Sequence, residues 1–242
     1  MCTVTFIPAR NKIYLTSNRD EKVFRSQALE PAIYPFTTGH LLFPKDADAG
    51  GTWIAGHENG QAIVFLNGGF IKHTPKPPYR KSRGLILLDL IDSTNARTAF
   101  ETISLQNIEP FTAIIFVEGQ LFECRWDGLQ KHLKELPATR PHIWASVTLY
   151  DEAVIAKRNQ WFAEWLQQYP QPGADDILHF HQFTGDGDNH NDLRMNRNGQ
   201  MLTVSVTLMA VAESATHMQY LDLKNNRTFA KKIVLEKSMA GR

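Results

Sequence analysis

Blocks of strand periodicity alternate with blocks of helical periodicity along this chain, and this order constrains its fold more than any other feature. Alternating or β-branched apolar residues, typical of strands, occur at 3–7, 13–16, 53–55, 61–66, 111–117, 121–126, 143–148, 202–211, 218–223 and 229–235. Apolar residues at helical spacing occur at 85–91, 96–105, 151–168 and 175–183. Because strands and helices are segregated, the pattern predicts an α+β protein in which helices cover sheets. No repeat or linker divides the chain, so residues 1–242 are expected to form one domain.

Two segments are predicted to lack regular structure. The first follows residue 21 and contains Pro31, Pro35, Pro44 and the Gly50-Gly51 pair. The second is the proline-rich run 72–78, which cannot pair inside a sheet because proline has no backbone N–H. We expect this run to be an exposed loop or a lid.

Composition excludes several classes of protein. The 26 Lys and Arg residues against 25 Asp and Glu give a net charge of +1, so no global field attracts nucleic acid or an anionic membrane. The best apolar run, 85–91, contains Asp89 and is far shorter than the roughly 20 residues of a membrane span. Two cysteines and no visible targeting signal predict a cytoplasmic protein. The oligomeric state stays open.

Cys2 is the residue with the clearest chemical potential. The initiator Met1 is normally removed before a small residue, which would leave Cys2 at the N-terminus. Its thiol, of pKa about 8.5, would then lie beside its own α-amine, of pKa about 8. The amine could act as the general base for the thiol, as in an N-terminal nucleophile. The alternative is a small buried residue that starts a strand.

The predicted hairpin gives Cys2 possible partners. If strands 3–7 and 13–16 pair, the residues that follow the second strand lie beside the start of the first. Arg19 could stabilise the thiolate, Asp20 could orient the α-amine, and Asn18 could contribute to substrate binding. The alternative is a solvated charged segment at the end of a strand.

These motifs resemble the NRDE family, the transport and Golgi organisation 2 proteins. The matching segments are Met1-Cys2-Thr3, Ser17-Asn18-Arg19-Asp20-Glu21, Gly50-Gly51-Thr52-Trp53, Leu66-Asn67 and Ser82-Arg83-Gly84. The resemblance implies a four-layer αββα sandwich of the N-terminal nucleophile hydrolase type, similar to the choloylglycine hydrolase and penicillin V acylase group. It also implies that Arg19 and Asp20 flank the nucleophile and that Asn67 supplies an oxyanion donor.

The chain departs from this resemblance in one place. The second asparagine that the acylases use as an oxyanion donor has no clear counterpart near 145–150. Ser146 or Thr148 could substitute for it. Loss of one such donor typically reduces the rate about 10²–10³-fold, so without a substitute this chain is expected to be a slower catalyst than the acylases.

Other candidates have an ordinary structural interpretation beside the functional one. Arg83, at the start of a predicted helix, could bind a substrate anion or form a partly buried ion pair. Trp53 could line a substrate pocket, although a core position is the more common role. Cys124 is expected in the core. His179, His181 and the acidic run 186–192 lack the spacing of an EF-hand or zinc site, so we expect an acidic loop, no metal and no cofactor.

The sequence therefore predicts an N-terminal cysteine hydrolase. The reaction is expected to cleave a non-peptide C–N amide bond in a small molecule through a thioester acyl-enzyme. The alternative is a non-catalytic binding or trafficking protein that holds a lipid, acyl-CoA or haem-like ligand on the same fold.

Overall fold

The computed structural model of this protein describes residues 3–236. In chain order the strands are β1 (Thr3–Ala9), β2 (Lys12–Lys22), β3 (Leu29–Pro35), β4 (His40–Lys45), β5 (Ile54–His57), β6 (Ala62–Asn67), β7 (Phe111–Val117), β8 (Gln120–Trp126), β9 (Lys131–Leu136), β10 (His142–Ala145), β11 (Asn196–Arg197), β12 (Met201–Ala212), β13 (Ala215–Asp222) and β14 (Arg227–Val234). The helices are α1 (Arg83–Ile91), α2 (Ala96–Thr102), α3 (Glu152–Gln168) and α4 (Ala174–Phe183).

The strands form two antiparallel sheets. The first sheet has the order β10-β1-β2-β12-β13-β14, with β11 paired to β12, and the second has the order β3-β4-β5-β6-β7-β8-β9. The predicted N-terminal hairpin is present, and its register pairs Thr3 with Asn18 and Ala9 with Lys12. Thr3 also pairs with Ala145 on the other side, so the start of β1 lies between two strands.

Three hydrophobic layers hold the sheets and helices together. Apolar side chains of both sheets, such as Leu15, Val64 and Met209, fill the space between them. Helices α1 and α2 pack on the outer face of the second sheet through residues such as Leu87 and Phe100. Helices α3 and α4 cover the outer face of the first sheet. The order of layers is α, β, β, α, and the predicted α+β class is confirmed.

The structure corrects the sequence prediction in the proline-rich segment after residue 22. Strands β3 and β4 lie within the stretch expected to be irregular. Pro31 and Pro35 are tolerated because β3 is an edge strand, where a missing N–H breaks no central ladder. The run 72–78 is outside any strand or helix and is largely exposed, as predicted.

Two further corrections concern strand ends near the predicted site. Strand β2 continues to Lys22, so residues 18–21 lie inside the strand and not after it. Strand β10 ends at Ala145, so Ser146 and Thr148 lie in a turn and not in the predicted strand 143–148. No helix within residues 3–236 is long and apolar enough to cross a membrane.

Two glycines allow the start of α1 to contact the backbone of the loop that precedes β5. A Cβ on Gly51 would overlap the carbonyl carbon of Gly84, and a Cβ on Gly84 would lie 2.8 Å from the carbonyl oxygen of Thr52. The Thr52 N–H also donates to the Gly84 carbonyl at 3.3 Å. The two sequence motifs Gly-Gly-Thr-Trp and Ser-Arg-Gly therefore meet at one close backbone contact.

We expect Gly51→Ala to lower the free energy of unfolding by about 1–3 kcal/mol, because an added methyl group overpacks this contact. The measurement is chemical denaturation. Gly173→Ala is the matched control, since its Cβ would meet only Asp176 at an ordinary 3.5 Å. Equal stability of the two variants would contradict the close contact.

Candidate functional site

The site is organised by β2, which lies between β1 and β12 and is buried from Ile13 to Asp20. Successive side chains of a strand point to opposite faces of its sheet. Arg19 therefore points towards the second sheet, whereas Asn18 and Asp20 point towards the layer of α3 and α4. The three residues that the sequence analysis placed together lie on two different faces.

Arg19 forms an ion pair that joins the two sheets. Its Nη2 donates to Asp46, just after β4, at 2.8 Å, and its guanidinium lies 4.9 Å from the centre of the Trp53 ring. Arg25 donates to the same carboxylate at 3.0 Å. Burial opposes ionisation of Asp46, but the Ala49 N–H and the two arginines hold its pKa below the ordinary value. The network keeps a buried cation paired.

A cavity of about 420 Å³ lies beside this ion pair. It is lined by four of the predicted site residues, namely Arg19, Trp53, Asn67 and Arg83. These residues come from both sheets and from the first turn of α1. The cavity therefore brings together side chains that are far apart in the sequence.

Arg83 lies in the wall of the cavity and is also paired. Its Nη2 lies 3.1 Å from Glu109, and its Nη1 donates to the Pro110 carbonyl at 3.4 Å. Burial lowers the pKa of Arg83, while the charge of Glu109 opposes that shift. Arg83 therefore forms the partly buried ion pair that the sequence analysis gave as one alternative, and its side chain also lines the cavity.

Trp53 has both of the roles that the sequence left open. It belongs to the core between the sheets and stacks on Arg19, and it also lines the cavity. Among the described residues its buried indole N–H has no hydrogen-bond acceptor. A buried donor without an acceptor is costly, so a ligand acceptor at this point would be stabilising.

Asn67 is the last residue of β6 and borders the turn that follows β10. The Ser146 hydroxyl donates to the Asn67 carbonyl at 2.9 Å and lies 2.9 Å from the Thr148 hydroxyl. Since Ser146 has one proton to donate, Thr148 is the donor between the two hydroxyls. Both candidates for the second oxyanion donor are therefore engaged in hydrogen bonds.

Asp20 is buried on the opposite face of β2 from Arg19. Its carboxylate accepts hydrogen bonds from Tyr150 at 2.7 Å and from Thr203 at 2.5 Å. These hydroxyls fix the carboxylate between β2 and the turn before α3. Asp20 does not line the cavity.

Asn18 is fully occupied by contacts with the helical layer. Its amide donates to the carbonyls of His181 and Leu193 at 3.0 and 2.7 Å, and its Oδ1 lies 2.5 Å from the His181 Nδ1. Asn18 joins the first sheet to α4 and does not line the cavity.

Sequence reasoning missed Arg158 and the contacts of His181. Arg158 donates to the Thr3 hydroxyl, and its guanidinium lies 3.7 Å from the centre of the Tyr150 ring. The Nε2 of His181 lies 2.8 Å from the Thr5 hydroxyl. Both residues contact β1 from the layer of α3 and α4. An arginine on the apolar face of the long α3 helix was the available signal.

Cys2 lies outside the described residues. Cys124 is fully buried, as predicted, and burial together with Glu123 raises the pKa of its thiol to about 12. Residues 3–236 contain no group of three or more His, Cys, Asp or Glu side chains that could hold a metal ion. His181 is instead engaged by Thr5 and Asn18.

Comparisons with known proteins give a family and a fold. A family model described as Transport and Golgi organisation 2 matches residues 1–170. A comparison with curated protein sequences found no match.

Solved structures with the same fold are similar over nearly the whole chain. A cysteine-to-alanine mutant of the conjugated bile acid hydrolase from Clostridium perfringens matches with a TM-score of 0.61 and 11% identity, covering 98% of this chain and 97% of that one. An arginine-to-leucine variant of that hydrolase matches with a TM-score of 0.61 and 11% identity, covering 99% and 100%. The Caenorhabditis elegans orthologue of N-acylethanolamine-hydrolyzing acid amidase gives 0.57 and 13%, covering 86% and 92%. The fold is that of the N-terminal nucleophile hydrolases.

The buried His181 predicts a pH dependence of stability. Burial and the charge of Arg158 lower the pKa of His181 to about 3, whereas the unfolded side chain titrates near 6.5. Below pH 6.5 the unfolded chain binds a proton that the folded protein does not. The imidazole therefore lowers the free energy of unfolding by about 1.4 kcal/mol per pH unit down to pH about 3.

The measurement is the free energy of unfolding between pH 7 and pH 4. His181→Gln should be less stable at pH 7 but lose less stability on acidification. His179→Gln, an exposed position on the same helix, should keep the wild-type slope. A wild-type slope in His181→Gln would contradict the assignment.

Proposed function

We propose, since this chain belongs to the Transport and Golgi organisation 2 family, that it is an N-terminal cysteine hydrolase of a small-molecule amide. The bond cleaved is a non-peptide C–N amide bond, and Cys2 is the nucleophile. The proposal also treats residues 1–242 as one domain, since both sheets contribute walls to one cavity.

The observation that carries the proposal is the cavity beside the start of the N-terminal hairpin. Arg19, Trp53, Asn67 and Arg83 line it, and Arg19 follows Asn18, the residue that pairs with Thr3. The proposal requires the hairpin register to continue by one residue, which would set Cys2 opposite Arg19. A cation at that position favours a thiolate.

The proposed reaction has two steps. The Cys2 thiolate attacks the amide carbon, the tetrahedral intermediate loses the amine with a proton from the α-ammonium, and a thioester forms. Water, deprotonated by the α-amine, then attacks the thioester carbon, and the carboxylic acid leaves as the Cys2 thiol is restored. Removal of Met1 is required, because only then is the α-amine of Cys2 free.

The proposal assigns roles to other predicted site residues according to where each lies. Arg19 stabilises the thiolate, and Asn67 donates to the oxyanion from the end of β6. Asp20 orients the α-amine, because a carboxylate that Tyr150 and Thr203 hold in place attracts an ammonium group. Arg83 and Trp53 bind substrate from the cavity wall.

A second candidate function is non-catalytic binding of a lipid, acyl-CoA or haem-like ligand in this cavity. The observation that favours it is that the hydroxyl groups of Ser146 and Thr148 already donate hydrogen bonds within the protein, so neither proton is directed at an oxyanion. A site that lacks one oxyanion donor catalyses hydrolysis more slowly, but its ability to bind a ligand is not reduced.

We expect the Cys2 thiol to react with iodoacetamide at a lower pH than an ordinary thiol. Its alkylation midpoint should lie below about 8.5, because Arg19 favours the thiolate. Arg19→Ala should raise that midpoint. The measurement is mass spectrometry of protein alkylated between pH 5 and pH 9, with buried Cys124 as an internal reference that reacts only after denaturation.

Arg10→Ala is the matched control, since Arg10 is exposed at the far turn of the same hairpin. It should leave the midpoint unchanged. An unshifted midpoint in Arg19→Ala, or earlier labelling of Cys124, would contradict an activated nucleophile.

Ligand uptake after alkylation of Cys2 separates the two candidate functions. A hydrolase should release a carboxylic acid from N-acyl amides and stop when Cys2 is blocked. A binding protein should take up palmitoyl-CoA or haem with the same affinity before and after blocking, with no product. The measurements are product release by mass spectrometry and ligand binding by calorimetry.

A further inference from the structure

Exposed apolar side chains are concentrated at one end of the sandwich. At this end, which we call the cavity end, β2, β6 and β8 finish and β3, β7 and β9 begin. Of the nine large apolar side chains exposed among residues 3–236, six lie there, namely Val23, Phe24, Leu29, Phe70, Ile71 and Leu129. Phe24 is 81% exposed and Ile71 is 77% exposed. Apolar exposure on this scale, concentrated at one end, is typical of an interaction surface.

Two segments carry the most prominent of these side chains, and both border the cavity. Residues 22–28 hold Val23 and Phe24, and residues 68–82 hold Phe70 and Ile71. Arg25 from the first segment and Tyr79 from the second are part of the cavity wall. The apolar side chains therefore belong to segments that also supply part of the cavity wall.

The same two segments are basic. Together they contain Lys22, Arg25, Lys72, Lys76, Arg80 and Lys81, and they contain no Asp or Glu. Arg25 is paired with Glu21, Asp46 and Asp48, and Lys81 with Asp89, so these four acidic neighbours offset part of the positive charge. The ion pairs found within residues 3–236 do not include Lys22, Lys72 or Lys76. The three lysines outside these ion pairs are the local positive charge that the net charge of +1 for the whole chain does not show.

We propose that the cavity end docks on the surface of an anionic lipid bilayer. Exposed phenylalanine and isoleucine enter the interfacial region, while the lysines beside them approach the lipid phosphates and carboxylates. Lysine is depleted at protein–protein interfaces, so lysines interleaved with projecting apolar side chains favour a lipid partner over a protein partner. Docking in this orientation turns the opening of the cavity towards the membrane. The proposal does not depend on Cys2 or on catalysis.

The test is co-sedimentation of the full chain with vesicles of phosphatidylcholine alone and of an equal mixture of phosphatidylcholine and phosphatidylserine. We expect binding to the mixed vesicles, weaker binding to the neutral ones, and a loss of binding as salt is raised. Lys72→Gln/Lys76→Gln should weaken binding to mixed vesicles by about thirtyfold. Phe24→Ser and Ile71→Ser should each weaken it by about tenfold or more.

Val234→Ser is the matched control, because this apolar side chain is 67% exposed but pairs with Ala215 at the start of β13, at the opposite end of the sandwich. This variant should bind as the wild type does. Circular dichroism shows whether each variant is folded. Wild-type protein that stays in solution with both vesicles would overturn the proposal, as would equal binding to neutral and anionic vesicles. Equal losses in the control and cavity-end variants would also overturn it.

Discussion

Strand β2 carries a buried charge on each of its faces, and the rest of the structure depends on how those two charges are held. Arg19 is paired with Asp46 of the second sheet, and Asp20 accepts from Tyr150 and Thr203 on the helical side. A buried ion without partners would cost several kcal/mol. These contacts therefore join the central strand to the layers above and below it.

The helical side gives β1 a polar support. Arg158 holds Thr3, and His181 holds both Thr5 and Asn18, in a region from which water is excluded. Hydrogen bonds satisfy most of these buried groups, although the Arg158 Nε has no acceptor among the described residues. Such buried polar networks favour one arrangement of the backbone. The start of the hairpin is thereby fixed from the face opposite the cavity, and the cavity side is left for Arg19 and Trp53.

Much of the fold follows from local patterns, and some of the site does too. The segments 3–7, 111–117 and 151–168 were predicted because their apolar spacing is strong and uninterrupted. The family resemblance rested on segments within residues 1–84, and the family is now shown. Strands β3 and β4 could not be predicted, because a proline is acceptable in a strand only where its missing N–H breaks no ladder. Pro31 and Pro35 lie in an edge strand, and Pro44 lies beyond the residues of β4 that pair with β5. These positions are properties of the assembled sheet.

The sequence by itself determined which residue types could form a chemical site, and it determined that the first two strands form a hairpin. It also determined the layered α+β class, because strand and helix periodicities are local. Only the tertiary structure decided that Arg19 lines a cavity while Asn18 and Asp20 turn away, since that depends on how far β2 continues. It alone gathered Phe24 and Ile71, 47 positions apart, at one end. The physical reason is that strand pairing across long separations, and not local propensity, sets which loops become neighbours.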